Sequence, residues 1–307
     1  MILKTKKIGL IEVDGNGKFP NLPLMKISAH HKKRGDSVEW AFGFEHYDVL
    51  YMSKIFTNTP DDLTCYDADE VVRGGSGYDL INKLPDEIEH IYPDYDLYKN
   101  IYGKRLFHEA YGFVTRGCPR RCEFCIVPAK EGRRSVQVAE LSEFWRGQNV
   151  IKLLDPNLLA CRNREKILCS LIDCGARIDF TQGLDIRLVD KTIAELINKI
   201  KIEMLHFAWD SPDEDLTDRF IFFKNITQMP YQKLKCYVLT NFDSSHSQDL
   251  ERVQILRKIG VDPYIMVYNK DTAPKITRRL QRYVNNRRLW RTFNSFQDFL
   301  SFEYKNL

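Results

Sequence analysis

Three cysteines within eight residues constrain this chain more than any other feature. Cys118, Cys122 and Cys125 stand as Cys-x3-Cys-x2-Cys in the stretch Arg116-Gly-Cys-Pro-Arg-Arg-Cys-Glu-Phe-Cys125. A loop this short turns its thiolates toward one centre, and clustered thiolates bind soft metals. Counting ligands then separates the candidates. A structural zinc site takes four ligands, commonly two Cys-x2-Cys pairs, and the chain has no second pair, so zinc would need a distant fourth ligand. A four-iron cluster can be held by three cysteines, which leaves one iron open to a small molecule.

The other five cysteines, Cys65, Cys161, Cys169, Cys174 and Cys236, read as small hydrophobes. A second cluster from Cys161, Cys169 and Cys174 would require spacings of 8 and 5 residues, which do not fall on one side of a helix. The lysines of Met1–Gly9 are followed by no long apolar stretch, so a secretory signal is not expected, and a reducing cytoplasm disfavours disulfides. No run of 18 apolar residues occurs, which argues against a membrane-spanning helix.

Around the cysteines the chain alternates between two periods. A β-prone run, Ala110–Thr115, leads directly into the motif. Further runs follow at Val150–Leu154, Arg177–Thr181, Met204–Trp209, Lys235–Thr240 and Tyr264–Tyr268. Helical periodicity marks Ser142–Gly147, Arg164–Cys174, Lys191–Lys199 and Gln248–Ile259. The last five strands recur every 27 to 31 residues, the span of a βα unit.

The cysteine spacing, with Phe124 just before the third cysteine, resembles the signature of the radical S-adenosylmethionine (SAM) superfamily. The six strands from about Phe107 to Asp271 resemble its partial (β/α)6 barrel, in which chemistry sits at the C-terminal ends of the strands. The resemblance implies a [4Fe–4S] cluster on Cys118, Cys122 and Cys125, whose open iron chelates SAM. It also implies an electron from reduced flavodoxin or ferredoxin, and a 5′-deoxyadenosyl radical that abstracts a substrate hydrogen. Polar strand ends supply candidate SAM contacts: Asp155 and Asn157 after the second strand, Gln182 and Arg187 after the third, and Asp210 after the fourth, together with Phe124. Arg187 is included because a guanidinium forks onto a carboxylate. The family's Gly-Gly-Glu-like stretch is absent, and Asp155-Pro-Asn157 resembles members with a cobalamin-type N-terminal domain. Arg116, Arg120 and Arg121 flank the cysteines either as surface cations or as charges that raise the cluster potential. The alternative class is a non-catalytic iron–sulfur or zinc module, which would bind metal without turnover.

The first hundred residues read as a separate, small doubly wound (Rossmann-like) sheet, giving an α/β chain with expected divisions 1–104, 105–271 and 272–307. Its strands are Lys7–Val13, Tyr47–Tyr51 and Glu70–Arg73, with a helix at Leu22–Arg34, a turn at Asp14–Gly17 and a Gly74-Gly75-Ser76-Gly77 loop. In order and size it resembles a cobalamin-binding-like domain. The expected Asp-x-His-x-x-Gly is replaced by Asp14-Gly-Asn-Gly-Lys-Phe19, and His30 and His31 fall in the following helix. The missing histidine counts against cobalamin, although some members bind it without one. The glycine loop reads as a turn or as a phosphate approach. Pro85–Tyr98, acidic and tyrosine-rich, reads as the linker, its tyrosines either covering the barrel mouth or packing between domains.

Charge is uneven. Thr272–Gln297 holds seven basic residues and no acid, and without those seven the formal +4 of the chain becomes −3. This helical C-terminal segment, through Arg278, Arg279, Arg282, Arg287 and Arg288, suits nucleic acid. Its plainer reading is a solvated helical face with Leu280, Val284 and Trp290 turned inward.

Overall fold

A computed structural model describes residues 5–15, 19–102 and 108–305, with Tyr102 described by its backbone alone. The N-terminal part contains β1 (Lys7–Glu12), α1 (Leu22–Lys33), β2 (Ser37–Trp40), β3 (His46–Ser53) and β4 (Asp67–Gly74). All four strands are parallel, in the order β2-β1-β3-β4. Helix α1 starts where Asn21 accepts a hydrogen bond from Leu24 N–H, has a proline in its first turn, and ends in His30, His31, Lys32 and Lys33, cations placed at the negative end of the helix dipole. Its apolar face, with Leu24 and Ile27, packs on Ile8, Leu10 and Val49. Ile11, Tyr47, Leu50 and Met52 form a second, smaller cluster.

The alternation of strand and helix holds only for the first crossover. Residues 54–66, between β3 and β4, form no helix, because Pro60 and the polar run Asn58 to Asp62 break any apolar periodicity. Strand β2 was not legible from the sequence. Of the expected turn, Asn16 and Gly17, and Lys18 beyond it, lie outside the described residues, as does the expected 104/105 boundary.

The linker holds α2 (Asp86–Glu89), a 3₁₀ turn at Tyr95–Tyr98, and α3 (Lys99–Tyr102). Its tyrosines pack rather than cover a mouth. Tyr98 is fully buried; its hydroxyl accepts from Asn21 N–H and donates to Glu12. The Tyr95 hydroxyl accepts from Tyr111 N–H and donates to Phe144 C=O, fixing the linker to the second sheet.

The second sheet comprises β5 (Glu109–Gly112), β8 (Val150–Leu153), β9 (Arg177–Leu184), β10 (Ile202–Ala208), β11 (Leu234–Thr240) and β12 (Asp262–Val267), parallel and in sequential order. Between β5 and β8 lie a two-stranded hairpin, β6 (Thr115–Arg116) with β7 (Val136–Gln137), and α4 (Val127–Lys130). Helices α5 (Arg164–Asp173), α6 (Lys191–Lys199), α7 (Thr217–Thr227) and α8 (His246–Ile259) connect the remaining strands. The fold is thus mixed α/β with two parallel sheets, and the larger has the strand order of a partial (β/α)6 barrel. Ile151, Phe180, Leu205, Phe207 and Val238 face Leu168, Ile193, Phe220 and Leu256 in one core.

Two expectations need correcting. The helix expected at Ser142–Gly147 is only a 3₁₀ turn, Leu141–Glu143, because Gly147 with φ +93° ends the segment before a full helical nucleus forms. Helix α7, with buried Phe220 and Phe223, went unrecognised because charged and apolar residues are mixed around its circumference.

The C-terminal helices α9 (Lys275–Asn285), α10 (Arg287–Thr292) and α11 (Phe296–Lys305) belong to the same core through Leu280, Tyr283, Trp290 and Phe299. Asn285 accepts from Ile265 N–H and donates to Ile265 C=O, so α9 closes the exposed edge of β12.

Glu12 supplies a test. Burial, reinforced by the charge of Asp14, pushes Glu12 up to about 7 against the hydrogen bond from Tyr98. The folded chain therefore holds a proton that the unfolded chain releases near 4.5, and stability falls as pH rises from there to about 7. Glu12→Gln is expected to remove this decline, stabilising the chain at pH 8 by about 1–2 kcal/mol after discounting for partial exposure. Urea midpoints of both chains measured from pH 5 to 8 check this.

Candidate functional site

The cysteine loop hangs from the C-terminal end of β5. Its first turn depends on Gly117, whose φ of +85° suits glycine and whose Cβ, if present, would lie 2.1 Å from Arg134 C=O. Cys118 N–H donates to Gly132 C=O at 3.1 Å, and Cys125 N–H to Cys122 C=O at 3.0 Å. All three motif cysteines are free thiols; Cys118 is buried and the other two are half-buried. Burial raises the Cys125 thiol, with further contributions from Cys122, Cys118 and Asp210, which places those groups within electrostatic reach of one another.

Below the loop, Asp155 accepts hydrogen bonds from Val114 N–H at 3.2 Å, from Thr115 N–H, and from the Thr115 hydroxyl at 2.7 Å. Burial raises this carboxyl to about 6, against those hydrogen bonds. Both its oxygens are occupied in strapping the start of the loop to the end of β8. Asn157 reaches the cysteines themselves: its Nδ2 donates to Cys118 Sγ at 3.4 Å. Its Oδ1 is buried with no hydrogen-bond partner.

Asp210 follows β10, and burial pushes it up to about 6 against the pull of Arg187, Arg252 and Arg120. Arg187 is half-buried and donates to Asp185 and Glu214, both at 2.6 Å, so its charge is already matched by two carboxylates. Phe124 packs edge-on against Phe242 at 5.4 Å. The structure therefore brings together the three cysteines, Asn157, Asp210 and Phe124, with Arg187 joined to this group through Glu214 and Arg120. Gln182 is exposed on β9 and, among the described residues, has no hydrogen bond to this group. Arg116 is bound by Glu89 and Glu131 at 3.0 Å each and stacks on Phe113, whereas Arg121 is exposed.

Sequence reasoning missed Arg252. This buried side chain donates to the carbonyls of Trp209, Asp210 and Leu239 and to the Asp249 carboxylate, locking the ends of β10 and β11. Only its position on the inner face of α8 hinted at burial.

Among the described residues, no three or more His, Cys, Asp and Glu side chains are drawn together tightly enough to hold a metal ion. The donor set nonetheless suits a thiophilic group in kind: three free thiols on one short loop, beside a buried amide oxygen that lacks a donor. Cys161 and Cys236 are buried, Cys169 is exposed, and Cys174 donates to Leu171 C=O at the end of α5; they gather into no second centre among these residues.

In the N-terminal part, His31 has both ring nitrogens engaged, Nδ1 by Asp36 at 2.7 Å and Nε2 by the Tyr51 hydroxyl at 3.1 Å. Gly75 and Gly77 press against the Lys54 backbone, so these two glycines serve the turn. A cleft of about 910 Å³ runs between the ends of β3 and β4 and the β6–β7 hairpin, lined by Met52, Arg73, Gly74, Arg116, Lys130 and Val138. In the basic segment, Arg282 pairs with Glu303 at 2.6 Å and Arg279 with Glu303 and the Tyr304 hydroxyl, so these two charges are countered within the fold. Arg278 and Arg288 are exposed, and Arg287 lies near Asp262 at the start of β12, the end of the strand remote from the cysteines. No helix among the described residues is long and apolar enough to cross a membrane.

Comparison with known proteins finds no matching family model. A CDK5RAP1-like protein of Oryza sativa subsp. japonica is 25% identical over 175 residues, 50% of this chain and 29% of that protein, so the chain spans less than a third of that relative's length. Among solved structures, Streptococcus suis SuiB overlaps 61% of this chain and 48% of its own at a TM-score of 0.41 and 15% identity. SuiB bound to S-adenosylmethionine overlaps 66% and 51% at 0.39 and 14% identity, and SuiB bound to its precursor peptide SuiA overlaps 78% and 56% at 0.41 and 13% identity.

The Asp155 strap is testable. Asp155→Ala leaves buried N–H groups without an acceptor and is expected to cost about 3 kcal/mol. It should also open the loop, so that Cys118 reacts with maleimide faster than in the unaltered chain. Urea midpoints and thiol-labelling rates read the two effects.

Proposed function

We propose that this chain is a radical SAM enzyme whose Cys118, Cys122 and Cys125 hold a [4Fe–4S] cluster. The observation that carries the reading is the glycine-turned hairpin bearing three free thiols at the C-terminal end of the first strand of a six-stranded parallel βα sheet. When bound, the cluster and SAM would supply a one-electron reductive cleavage that yields a 5′-deoxyadenosyl radical able to abstract a substrate hydrogen.

The chain's own residues position and shield. Asn157 donates to Cys118 and keeps a buried acceptor oxygen without a hydrogen-bond partner. Asp155 fixes the loop, and this support is the role we assign it in place of a direct SAM contact. Asp210, half neutralised near pH 6, and Phe124 flank the cysteines as candidate SAM contacts. Arg187 would reach a SAM carboxylate only by exchanging Asp185 or Glu214, and Gln182 would contribute from the exposed end of β9. Reduced flavodoxin or ferredoxin would deliver the electron. In this reading 105–271 is the catalytic unit and 1–104 a supporting sheet; with His31 doubly bonded and no histidine in the sequence Asp14–Phe19 that follows β1, we assign that sheet no cobalamin.

After anaerobic reconstitution the unaltered chain is expected to carry about four irons and to release 5′-deoxyadenosine when given SAM and dithionite, as read by mass spectrometry. Cys122→Ala should lose both the iron and the product while keeping its circular-dichroism spectrum. Stoichiometric zinc, or undiminished SAM cleavage in the variant, would overturn the assignment.

A further inference from the structure

An aromatic wall continues from the cysteine loop across the ends of β11 and β12. Phe242 meets Phe124 at 5.4 Å and Tyr268 at 4.9 Å, both edge-on. Further along β12, Met266 and Tyr264 alternate with the buried Ile265, so they share the face that carries Tyr268. Tyr268 is 53% exposed, Met266 46% and Tyr264 36%, a contiguous apolar and aromatic surface open to solvent.

The wall is built rather than incidental. Asn241, immediately before Phe242, holds a left-handed φ of +62°. Its Nδ2 donates to Asn269 C=O at 3.0 Å, and Tyr268 N–H donates to Thr240 C=O at 3.0 Å. These two bonds tie the ends of β11 and β12 together and set Phe242 and Tyr268 side by side. Asparagine adopts this left-handed conformation more readily than other non-glycine residues, which suits it to the tie it makes here.

The charges on the same segments are mostly positive. Arg121, Arg133 and Arg134 on the cysteine hairpin, and Lys270, Lys275 and Arg278 after β12, are exposed and form no ion pair among the described residues. Against them stand Glu123, Asp243 and Asp271, with Glu131 already bound to Arg116. An exposed ring, Tyr268, beside a half-buried one, Phe242, on a surface whose flanking segments carry these cations matches the general design for single strands of nucleic acid: cations follow the phosphates and rings receive unstacked bases.

We infer that Phe242 and Tyr268 form a base-stacking platform for single-stranded nucleic acid beside the cysteine loop. The inference rests on the proposed function, since it takes the cysteine side as the working mouth. It moves the nucleic-acid surface away from the Arg287–Arg288 end of α10, which lies by the opposite ends of the strands.

The test is fluorescence anisotropy of the full chain with a labelled oligouridylate, its duplex with oligoadenylate, and the peptide Glu-Tyr-Glu, over a range of salt. Single strands should bind in preference to both others, with affinity falling as salt rises. Phe242→Leu and Tyr268→Leu should each weaken binding by roughly 5- to 150-fold. Arg133→Ala with Arg134→Ala, both on the surface, should lower the salt slope by about 0.7 for each phosphate that is no longer neutralised. Absence of salt-sensitive binding, preference for duplex or peptide, or weakening confined to Arg287→Ala with Arg288→Ala would each overturn it. Iron content and 5′-deoxyadenosine release by the unaltered chain report on the cluster separately, so either reading can fail alone.

Discussion

The carboxyl of Asp155 holds the cysteine-bearing end of this molecule together. It stands at the end of β8, and the donors it accepts from, Val114 N–H and both polar groups of Thr115, lie at the end of β5 about forty residues earlier in the chain. Those donors sit where β5 has stopped pairing and the hairpin has just begun, so without Asp155 they would be buried and unbonded. The cysteine loop inherits its direction from this anchorage. Gly117 then makes the turn, and Asn157, two residues beyond Asp155, delivers an amide to Cys118. One short segment after β8 thus both supports the loop and faces its first cysteine.

The same logic of tying strand ends recurs around the sheet. Arg252 binds three carbonyls at the ends of β10 and β11, beside Asp210, and Asn241 joins the ends of β11 and β12, beside Phe242 and Tyr268. Each tie sits next to a residue proposed to touch cofactor or substrate. A parallel sheet whose end strands do not pair with each other gains from such ties at its strand ends, and along the β12 edge Asn285 and Gln281 of α9 satisfy Ile265.

Much of the larger sheet was legible in the sequence because its signals are local. Helix α6 ran over Lys191–Lys199 as its period suggested, bounded by Asp190 as a side-chain cap. Strands β8 to β12 fell within a few residues of their β-prone runs, since apolar runs between turn formers leave few alternatives. The inward turn of Leu280, Val284 and Trp290 was likewise visible as a helical stripe. Strand β2 was not legible: Ser37–Trp40 is four residues long, and only its pairing with β1 makes it a strand.

The sequence by itself determined the grouping of three thiols on one short loop and the succession of strands in the larger sheet, because thiol spacing and βα periodicity are properties of neighbours along the chain. It also placed the positive charge. Only the tertiary structure decided the use of each polar residue: Asp155 binds backbone while Asn157 binds sulfur, Arg187 is matched by two carboxylates, and Arg279 and Arg282 are countered by α11. The physical reason is that a buried or clustered polar group takes whichever partner the packing brings within about 3 Å. For these residues the partner comes from another element or from an unpredictable turn, and no local period in the chain records that distance.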